Sequence, residues 1–476
     1  MSRPAVIMIT SNGVGAGHLI RSSAIARKLQ KDARPIILSM AYSVVEVATA
    51  LGIECEFIPG KDKGLMPYRY WDKYLRDRII ALINETGAKV VTFDGVVPYP
   101  GFLSAKFQRP DVSFIWIRRG MWQKQPQGVA LSIQSSLVDK VIEPGDLASE
   151  YDLGPTKNRK ERILTAPVSL YESKRTLSQD EARKLLALAK NQPTVLVQMG
   201  VGAKDLDDRI SAVLKGLSQW DGVNIVMAKE PRNERGESLI PDGLKVHVIR
   251  HFPLADVIHA FDAVVCAAGY NSVHEVIPAA IPTLLIANNR GTDNQYARAR
   301  WCQDKNLTLY ADSESLRDIE AKSRALTDIE TRTRLSQECL KVGELAGAAE
   351  IAGIILANID SPALISAIRL LRRRGSMAQI LLKRGFLFLL KRAAYNLLWW
   401  ASLIYRKIFP HKRDKLMGGN ILISRSLKND VLDSYIKGAY RLEHILDSAS
   451  KSYEERRIEI AKHAFRLSKN IQVQSI

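Results

Sequence analysis

The chain has 476 residues and a formal net charge of +19 at pH 7, from 69 Lys and Arg against 50 Asp and Glu. This length allows two or three domains with sizeable cores and excludes a single small module. The four cysteines lie far apart and have no histidine partner at metal-ligand spacing, so neither a zinc site nor a disulfide framework is indicated. The amino terminus lacks the apolar length of a secretory signal, so we expect a cytoplasmic protein.

The positive charge is concentrated near the carboxyl terminus. Residues 361–413 contain 12 Lys or Arg and no Asp or Glu, and aromatic and apolar clusters lie between the basic pairs. The longest uncharged run, 393–405, has 13 residues, whereas a membrane-spanning helix needs about 20 apolar residues. We therefore predict that 359–476 is a basic, mainly helical extension that binds an anionic membrane surface through 361–413. A protein-interaction helix is the alternative, and no nucleic-acid partner is expected.

Residues 1–170 alternate short apolar runs with helical patterns. Strands are predicted at 6–10, 36–40, 90–93, 114–117 and 162–167, and helices at 22–31, 43–51 and 69–85. Strands that alternate with helices predict a parallel sheet covered on both faces. The first domain is therefore predicted to be Rossmann-like.

Residues 171–358 repeat this pattern. Strands are predicted at 194–199, 224–228, 246–250, 263–267 and 283–286, and helices at 206–220 and 346–358. The predicted fold class is α/β, with two Rossmann-like domains that face a cleft. Ligands of such sheets bind beyond the carboxyl ends of the strands, where the glycine loops 13–17 and 200–202 and Gly269 are expected.

The stretch 264–298 is the most informative part of the second domain. A strand leads through Gly269 into a helix that is predicted to begin near Asn271. The free backbone N–H groups and the dipole of such a helix start favour a phosphate or pyrophosphate. Glu275 follows one turn later, where its carboxylate could accept hydrogen bonds from sugar hydroxyls of the same ligand.

A second glycine-rich loop, 11–18, follows the first strand and opens the first helix. Its sequence, SNGVGAGH, differs from the GxGxxG spacing of dinucleotide-binding loops, although its glycines still allow a close approach of the backbone to a ligand. His18 stands where the helix dipole disfavours the charged imidazole. A neutral imidazole there suits a general base or a donor to a phosphate.

Two motifs, SNGVGAGHLIRSSAIARKL at 11–29 and AAGYNSVHEVIPAAIPTLLIANNRGTDNQYARA at 267–299, resemble GT-B glycosyltransferases. The group they resemble contains the N-acetylglucosaminyltransferase of the lipid-linked peptidoglycan precursor and the plant-type galactolipid synthases. The resemblance extends over about 5–358, is specific in these two motifs, and is weaker at 200–204.

The resemblance implies a UDP-sugar as the donor substrate and assigns residues to it. The pyrophosphate would lie on Gly269, Asn271 and Ser272, and Glu275 would bind the ribose. Donor-sugar hydroxyls would contact Asp293, Asn294 and Gln295, and the uracil would be read near Phe252. The remaining predicted donor contacts are glycines of the two loops, namely Gly15, Gly17, Gly200 and Gly202.

Displacement of UDP from an anomeric carbon needs stabilisation of the leaving pyrophosphate and a base at the acceptor hydroxyl. Helix starts and glycine loops can supply the first, so we predict no metal and no cofactor. His18 is the first candidate for the base and Asp94, at the end of the 90–93 strand, is the second. Direct displacement with one base would invert the anomeric configuration.

The predicted acceptor is a polyprenyl-linked saccharide or glycolipid at the inner face of a bacterial cell membrane, in surface polysaccharide assembly. Arg118 and Arg119, which end another strand, are candidate contacts to an anionic acceptor. Two alternatives remain open at this point. The same fold could serve a nucleotide-sugar epimerase or a non-catalytic membrane scaffold that binds nucleotide sugars.

Overall fold

A computed structural model describes residues 3–11, 16–41, 43–58, 60–61, 68–123, 128–200, 205–228, 246–249 and 251–360. Within these residues the amino-terminal half forms a seven-stranded parallel sheet of order β3-β2-β1-β4-β5-β6-β7. The strands are β1 (Ala5–Thr10), β2 (Arg34–Ser39), β3 (Glu54–Phe57), β4 (Val90–Gly95), β5 (Ser113–Arg118), β6 (Lys140–Pro144) and β7 (Arg162–Thr165).

Helices cover both faces of this first sheet. They are α1 (Gly17–Leu29), α2 (Val44–Leu51), α3 (Tyr68–Thr86), α4 (Pro100–Gln108) and α5 (Gly128–Ser136). Alternate residues of β1 pack into separate cores on the two faces, Val6 and Met8 in one and Ile7 and Ile9 in the other. Successive side chains of a strand point to opposite faces, so a doubly covered strand must be apolar throughout.

The described part of the carboxyl-terminal half forms a six-stranded parallel sheet of order β10-β9-β8-β11-β12-β13. Its strands are β8 (Thr194–Gln198), β9 (Asn224–Ala228), β10 (Val246–Ile249), β11 (Ala263–Ala267), β12 (Thr283–Ile286) and β13 (Leu309–Ala311). Its helices are α6 (Gln179–Leu185), α7 (Leu206–Leu217), α8 (Tyr270–Val276), α9 (Gln295–Asp304), α10 (Leu316–Ala325) and α11 (Ile329–Leu340).

A last described helix, α12 (Gly347–Leu356), returns to the first sheet and packs on α1 and β7. The backbone N–H of Gly347 donates to the carbonyl of Pro167 at 3.1 Å. A Cβ added at Gly347 would lie 2.0 Å from the carbonyl oxygen of Ala166. Glycine is therefore required at the point where the second half of the chain meets the first.

The predicted fold class is confirmed: two parallel α/β sheets with helices on their faces make up the described chain. The first helix begins at Gly17 rather than at residue 22. Its added turn carries the polar residues His18 and Arg21, which do not contribute to the apolar periodicity of the helix. No helix in the described ranges has both the length and the apolar character needed to cross a membrane. The extension from 361 onward lies outside these ranges, and its predicted membrane contact stays a prediction.

Candidate active site

The predicted base and its neighbour meet at the carboxyl edge of the first sheet. The order of this sheet reverses between β1 and β4, and ligands of such sheets bind at that reversal. Asp94 ends β4, and His18 lies in the first turn of α1, which follows β1. His18 Nδ1 lies 2.7 Å from Asp94 Oδ1. The two candidates for the base are therefore a hydrogen-bonded pair.

Arg21, one helical turn after His18, completes this pair. Its Nε donates to Asp94 Oδ2 at 2.8 Å, and a second nitrogen of its guanidinium donates to Oδ1. His18, Arg21 and Asp94 are all buried. An ionised carboxylate only accepts hydrogen bonds, so His18 donates its Nδ1–H to Asp94 and keeps Nε2 as its basic nitrogen. Among the described residues, Nε2 has no hydrogen-bond partner.

The charges of the three groups support this assignment. Burial alone would raise the pKa of Asp94, but the Arg21 guanidinium and the hydrogen bond from His18 outweigh it and lower that pKa. Burial lowers the pKa of His18 by more than Asp94 raises it, and Arg21 and Arg119 lower it further. The arrangement therefore combines an ionised aspartate with a neutral imidazole, which is the form that a general base requires.

Helix α8 of the second sheet faces this group directly. Gly269 is the N-cap of α8, and the Asn271 Nδ2 donates to the carbonyl of Gly17 at 2.9 Å. The ring of Tyr270 lies 5.2 Å from the Arg21 guanidinium carbon, measured to the ring centroid. The predicted donor site and the predicted base are thus in contact across the two halves of the chain.

A buried chain of alternating charges joins the two halves beside this contact. Arg119 pairs with Asp293 at 2.9 Å, Asp293 with Arg298 at 3.0 Å, and Arg298 with Asp146 at 2.8 Å. Burial alone would raise the pKa of Asp293, but the two arginines lower it to about 2. His274 accepts a hydrogen bond from the Leu147 N–H at 3.1 Å, and burial lowers its pKa to about 4.

The predicted donor-sugar residues have protein partners in this structure. Both carboxylate oxygens of Asp293 face arginines. Gln295 Nε2 also donates a hydrogen bond to Asp293 Oδ2 at 3.2 Å. Asn294 is the N-cap of α9, where its side chain accepts from the N–H of Ala297 at 3.1 Å. These three residues lie at the interface of the two halves, and their contact with a donor sugar stays a prediction.

The other predicted donor contacts are placed as follows. Ser272 and Glu275 are partly exposed on α8, and Phe252 is partly buried against the core just before a short 3₁₀ helix at Leu254–Ala260. Gly200 adopts a φ of +70°, a conformation that favours glycine. Gly15 and Gly202 lie outside the described residues.

The predicted acceptor contacts differ from each other in position. Arg118 is fully buried, where it pairs with Glu143 at 3.1 Å and with Glu161 at 2.9 Å. A guanidinium enclosed by two carboxylates is not presented to an acceptor, so its position does not support the predicted role. Arg119 points into the interface instead, and its charge acts on the imidazole of His18.

Several residues of this site were missed in the sequence. Arg21 stands one turn after His18 on the same helix face, so its spacing could have indicated it. Tyr270, Asp146, His274 and Arg298 gave no such signal, because their partners come from distant parts of the chain. Within the described ranges, no group of His, Cys, Asp and Glu side chains is arranged to hold a metal ion.

Comparison with known proteins agrees with this geometry. Residues 194–342 match the model of the glycosyltransferase family 28 C-terminal domain. Over 326 residues the chain is 26% identical to the UDP-N-acetylglucosamine–N-acetylmuramyl-(pentapeptide) pyrophosphoryl-undecaprenol N-acetylglucosamine transferase of Saccharopolyspora erythraea, covering 63% of this chain and 79% of the relative. The enzyme of the same name from Rhodococcus erythropolis is 25% identical over 382 residues, covering 75% and 95%.

Among solved structures, MurG of Acinetobacter baumannii matches with a TM-score of 0.50 at 16% identity, covering 74% of this chain and 99% of that one. This likeness shows the fold. The two parallel α/β sheets, the family match and the relatives together show a glycosyltransferase with the GT-B fold. More particularly, the chain is a UDP-sugar glycosyltransferase that resembles the N-acetylglucosaminyltransferases of peptidoglycan synthesis.

The pKa of Glu275 leads to a prediction about stability. Although Glu275 is partly exposed as a residue, desolvation of its carboxyl and the nearby Asp256 raise this pKa to about 8, and Arg27 opposes them only in part. A carboxyl whose pKa is higher in the folded than in the unfolded state makes stability fall as the pH rises between the two values. We expect Glu275→Gln to raise the melting temperature by about 2–4 °C at pH 8. The gain should nearly vanish at pH 5, where most of the destabilisation by the folded carboxylate is absent.

The measurement is a thermal melt of both proteins at the two pH values. The exposed Glu314 supplies the control, since Glu314→Gln should shift the melting temperature equally at pH 5 and pH 8. A Glu275→Gln protein whose melting temperature follows the wild type at both pH values would contradict the raised pKa.

Proposed function

We propose that the protein transfers a sugar from a UDP-sugar to a polyprenyl-linked saccharide or glycolipid, with inversion at the anomeric carbon. The observation that carries the proposal is the His18–Asp94 pair, which faces α8 across the two halves of the chain. The relatives support this acceptor class, since their names specify a pyrophosphoryl-undecaprenol acceptor and an N-acetylglucosamine donor. Their names also favour N-acetylglucosamine as the first donor sugar to test.

In the proposed reaction His18 Nε2 removes the proton of the acceptor hydroxyl. The acceptor oxygen forms a bond to the anomeric carbon while the bond from that carbon to the UDP oxygen breaks. Asp94 stays ionised and stabilises the imidazolium that forms, because Arg21 keeps its pKa low. Attack from the face opposite UDP inverts the anomeric configuration.

The charge that develops on the leaving UDP needs its own stabilisation. We propose that the backbone N–H groups at the start of α8 provide it, with Asn271 and Ser272 beside them and Glu275 on the ribose. This assignment follows the motif at 267–299. It needs no metal for the leaving group, and metal independence is part of the proposal.

The first test is a thermal-shift screen of UDP-sugars followed by product analysis. A ligand that binds the folded state raises the apparent melting temperature, by an amount that depends on its concentration relative to Kd. Transfer of the sugar to an extracted lipid supports the proposal. Isomerised donor indicates an epimerase, and binding without turnover indicates a scaffold; either result would overturn the proposal.

Gly269 provides a test of the donor site that is separate from folding. Its φ of −69° suits any residue, and an added Cβ would meet Gln295 Nε2 at 3.9 Å, an ordinary contact. We expect Gly269→Ala to change the free energy of unfolding by less than about 1 kcal/mol. The methyl group would stand where the pyrophosphate approaches the backbone, so UDP affinity should fall about tenfold.

Calorimetric titration with UDP measures this loss of affinity. Gly353→Ala in α12 is the matched control, because its added methyl group meets nothing within 4 Å. The control should bind UDP like the wild type. Equal UDP affinity in Gly269→Ala and the wild type would reject the placement of the pyrophosphate at this helix start.

The membrane part of the proposal concerns 361–413, which lies outside the described residues. We expect a full-length variant with Arg372, Arg373, Arg374, Lys391 and Arg392 changed to Gln to float much less with vesicles of phosphatidylglycerol. Each basic residue near an anionic surface contributes about 1 kcal/mol, so the partition coefficient should fall by more than about 100-fold.

The control for vesicle binding carries the same loss of charge elsewhere. It replaces exposed basic residues of the described surface by Gln, namely Lys31, Lys190, Lys215, Arg324 and Lys341. This control should float like the wild type in low salt, and the binding of both should weaken as salt rises. Equal flotation of the two variants would mean that 361–413 is not the membrane-binding segment.

A further inference from the structure

Tyr270 lies at the centre of the contact between the two halves. Its side chain is buried, and the guanidinium carbons of Arg21 and Arg298 lie 5.2 Å and 5.9 Å from its ring centroid. The His274 ring packs against it, with 4.2 Å between centroids. Tyr270 belongs to α8 of the second sheet, whereas Arg21 belongs to α1 of the first.

The hydroxyl group of Tyr270 is fixed separately from the ring. It donates to the carbonyl of Gly145 at 2.9 Å and accepts from the N–H of Val168 at 2.9 Å. Both partners follow strands of the first sheet, β6 and β7. The Tyr270 side chain is therefore held at its hydroxyl end by the first half of the chain. Its backbone belongs to helix α8 of the second half.

Two hydrogen-bonded contacts connect Arg21 to His18, the proposed base. Arg21 engages both carboxylate oxygens of Asp94, and Asp94 holds the Nδ1 of His18 at 2.7 Å. The aromatic face attracts the guanidinium, and the attraction is strongest in a desolvated site such as this one. Among the described residues, the Arg21 side chain also makes polar contacts with Asp94 and His18.

We propose that Tyr270 is a positioning residue for the transferase. The ring of Tyr270 holds Arg21 on Asp94, and this contact fixes His18 with its Nε2 free to accept a proton. The inference rests on the proposed function of His18 as the base. It adds that the base is fully ordered only when α8 of the second half lies against α1. Helix α8, which carries the predicted donor site, and helix α1, which carries the base, are then in one contact.

Two substitutions separate the ring from the hydroxyl group. Tyr270→Phe keeps the aromatic face but leaves the Gly145 carbonyl and the Val168 N–H without this partner, so it should lower the melting temperature and reduce kcat much less than loss of the ring does. Tyr270→Leu removes both the aromatic ring and the hydroxyl group. We expect it to lower kcat about tenfold relative to Tyr270→Phe, with an unchanged KM for the donor.

The pH profile reports the same step. Among the residues that the structure describes, the charged groups that act on His18 are Asp94 from β4, Arg21 from α1 and Arg119 from the segment after β5, and Tyr270 of α8 lies against Arg21. When Arg21 moves away, the imidazole loses a nearby positive charge and keeps Asp94, so its protonated form becomes more favourable. The acidic limb of kcat/KM should therefore move to higher pH in Tyr270→Leu and stay in place in Tyr270→Phe.

A measurement on the imidazole itself keeps this inference testable apart from turnover. In protein labelled with ¹³C at histidine Cε1, the His18 resonance is assigned by its absence in His18→Gln and is followed through a pH titration. We expect its midpoint to be higher in Tyr270→Leu than in Tyr270→Phe and the wild type. Equal midpoints in all three proteins would overturn the positioning role. Absence of sugar transfer by the wild type would instead reject the proposed function.

Discussion

Replacing His18 by glutamine is expected to reduce kcat by a factor of about 10²–10⁴, the usual contribution of a positioned general base. The KM for the UDP-sugar should stay within about twofold, because His18 acts on the acceptor hydroxyl in the proposed reaction. Asp94 keeps its two contacts with Arg21 in this variant, so the fold should be retained. The measurement is the initial rate of UDP release at saturating donor and acceptor.

The control for His18→Gln is His247→Gln. His247 is exposed on the edge strand β10, away from both sheet reversals, and its loss should leave kcat unchanged. If His18→Gln turned over at the wild-type rate, the hydrogen bond to Asp94 would be structural and the base would have to be another group.

Replacing Arg298 by methionine is expected to lower the free energy of unfolding by about 3–5 kcal/mol. Arg298 is fully buried, and its guanidinium bonds to Asp146, to Asp293 and to the carbonyl of Ala268. Methionine fills similar space but leaves two carboxylates in the interface without a common cation. A buried charge that loses its partner costs far more than an exposed one, because water cannot replace the partner.

Denaturant unfolding of a matched pair measures this loss of stability. Arg324→Met removes an arginine that is 57% exposed and pairs with Glu320 on the same helix, so its effect should stay below about 1 kcal/mol. Adding Asp146→Asn and Asp293→Asn to Arg298→Met should recover part of the lost stability. A loss equal to that of Arg324→Met would show that the buried charge chain does not hold the two halves together.

The sequence predicted the central strands well because parallel strands buried on both faces must be continuously apolar. The runs at 6–10 and 90–93 satisfy that requirement and became β1 and most of β4. Strand β6 was not predicted because it contains the charged residues Lys140 and Glu143. In the structure, Glu143 is buried against Arg118. Charge on a strand obscures the apolar pattern even where an ion pair compensates it.

The sequence likewise predicted some features of the candidate site and not others. His18 and the α8 start stood out because glycine-rich loops and helix termini have a local signature. The pairing of His18 with Asp94 did not, because the two residues are 76 positions apart and their contact depends on strand order. Arg298 and Asp146 are 152 positions apart and meet only through the packing of the two halves. Local sequence thus indicated where the site lies but not which charges neutralise each other there.

One measurement tests the central claim most directly. Wild-type protein is incubated with UDP-N-acetylglucosamine labelled with ¹⁴C in the sugar and with a detergent-dispersed polyprenyl-pyrophosphoryl saccharide, and the label in the lipid phase is counted against the UDP released. The proposed function predicts equal molar amounts of labelled lipid and UDP. Release of UDP with no label in the lipid, under conditions where the donor binds, would contradict a transferase that acts on this class of acceptor.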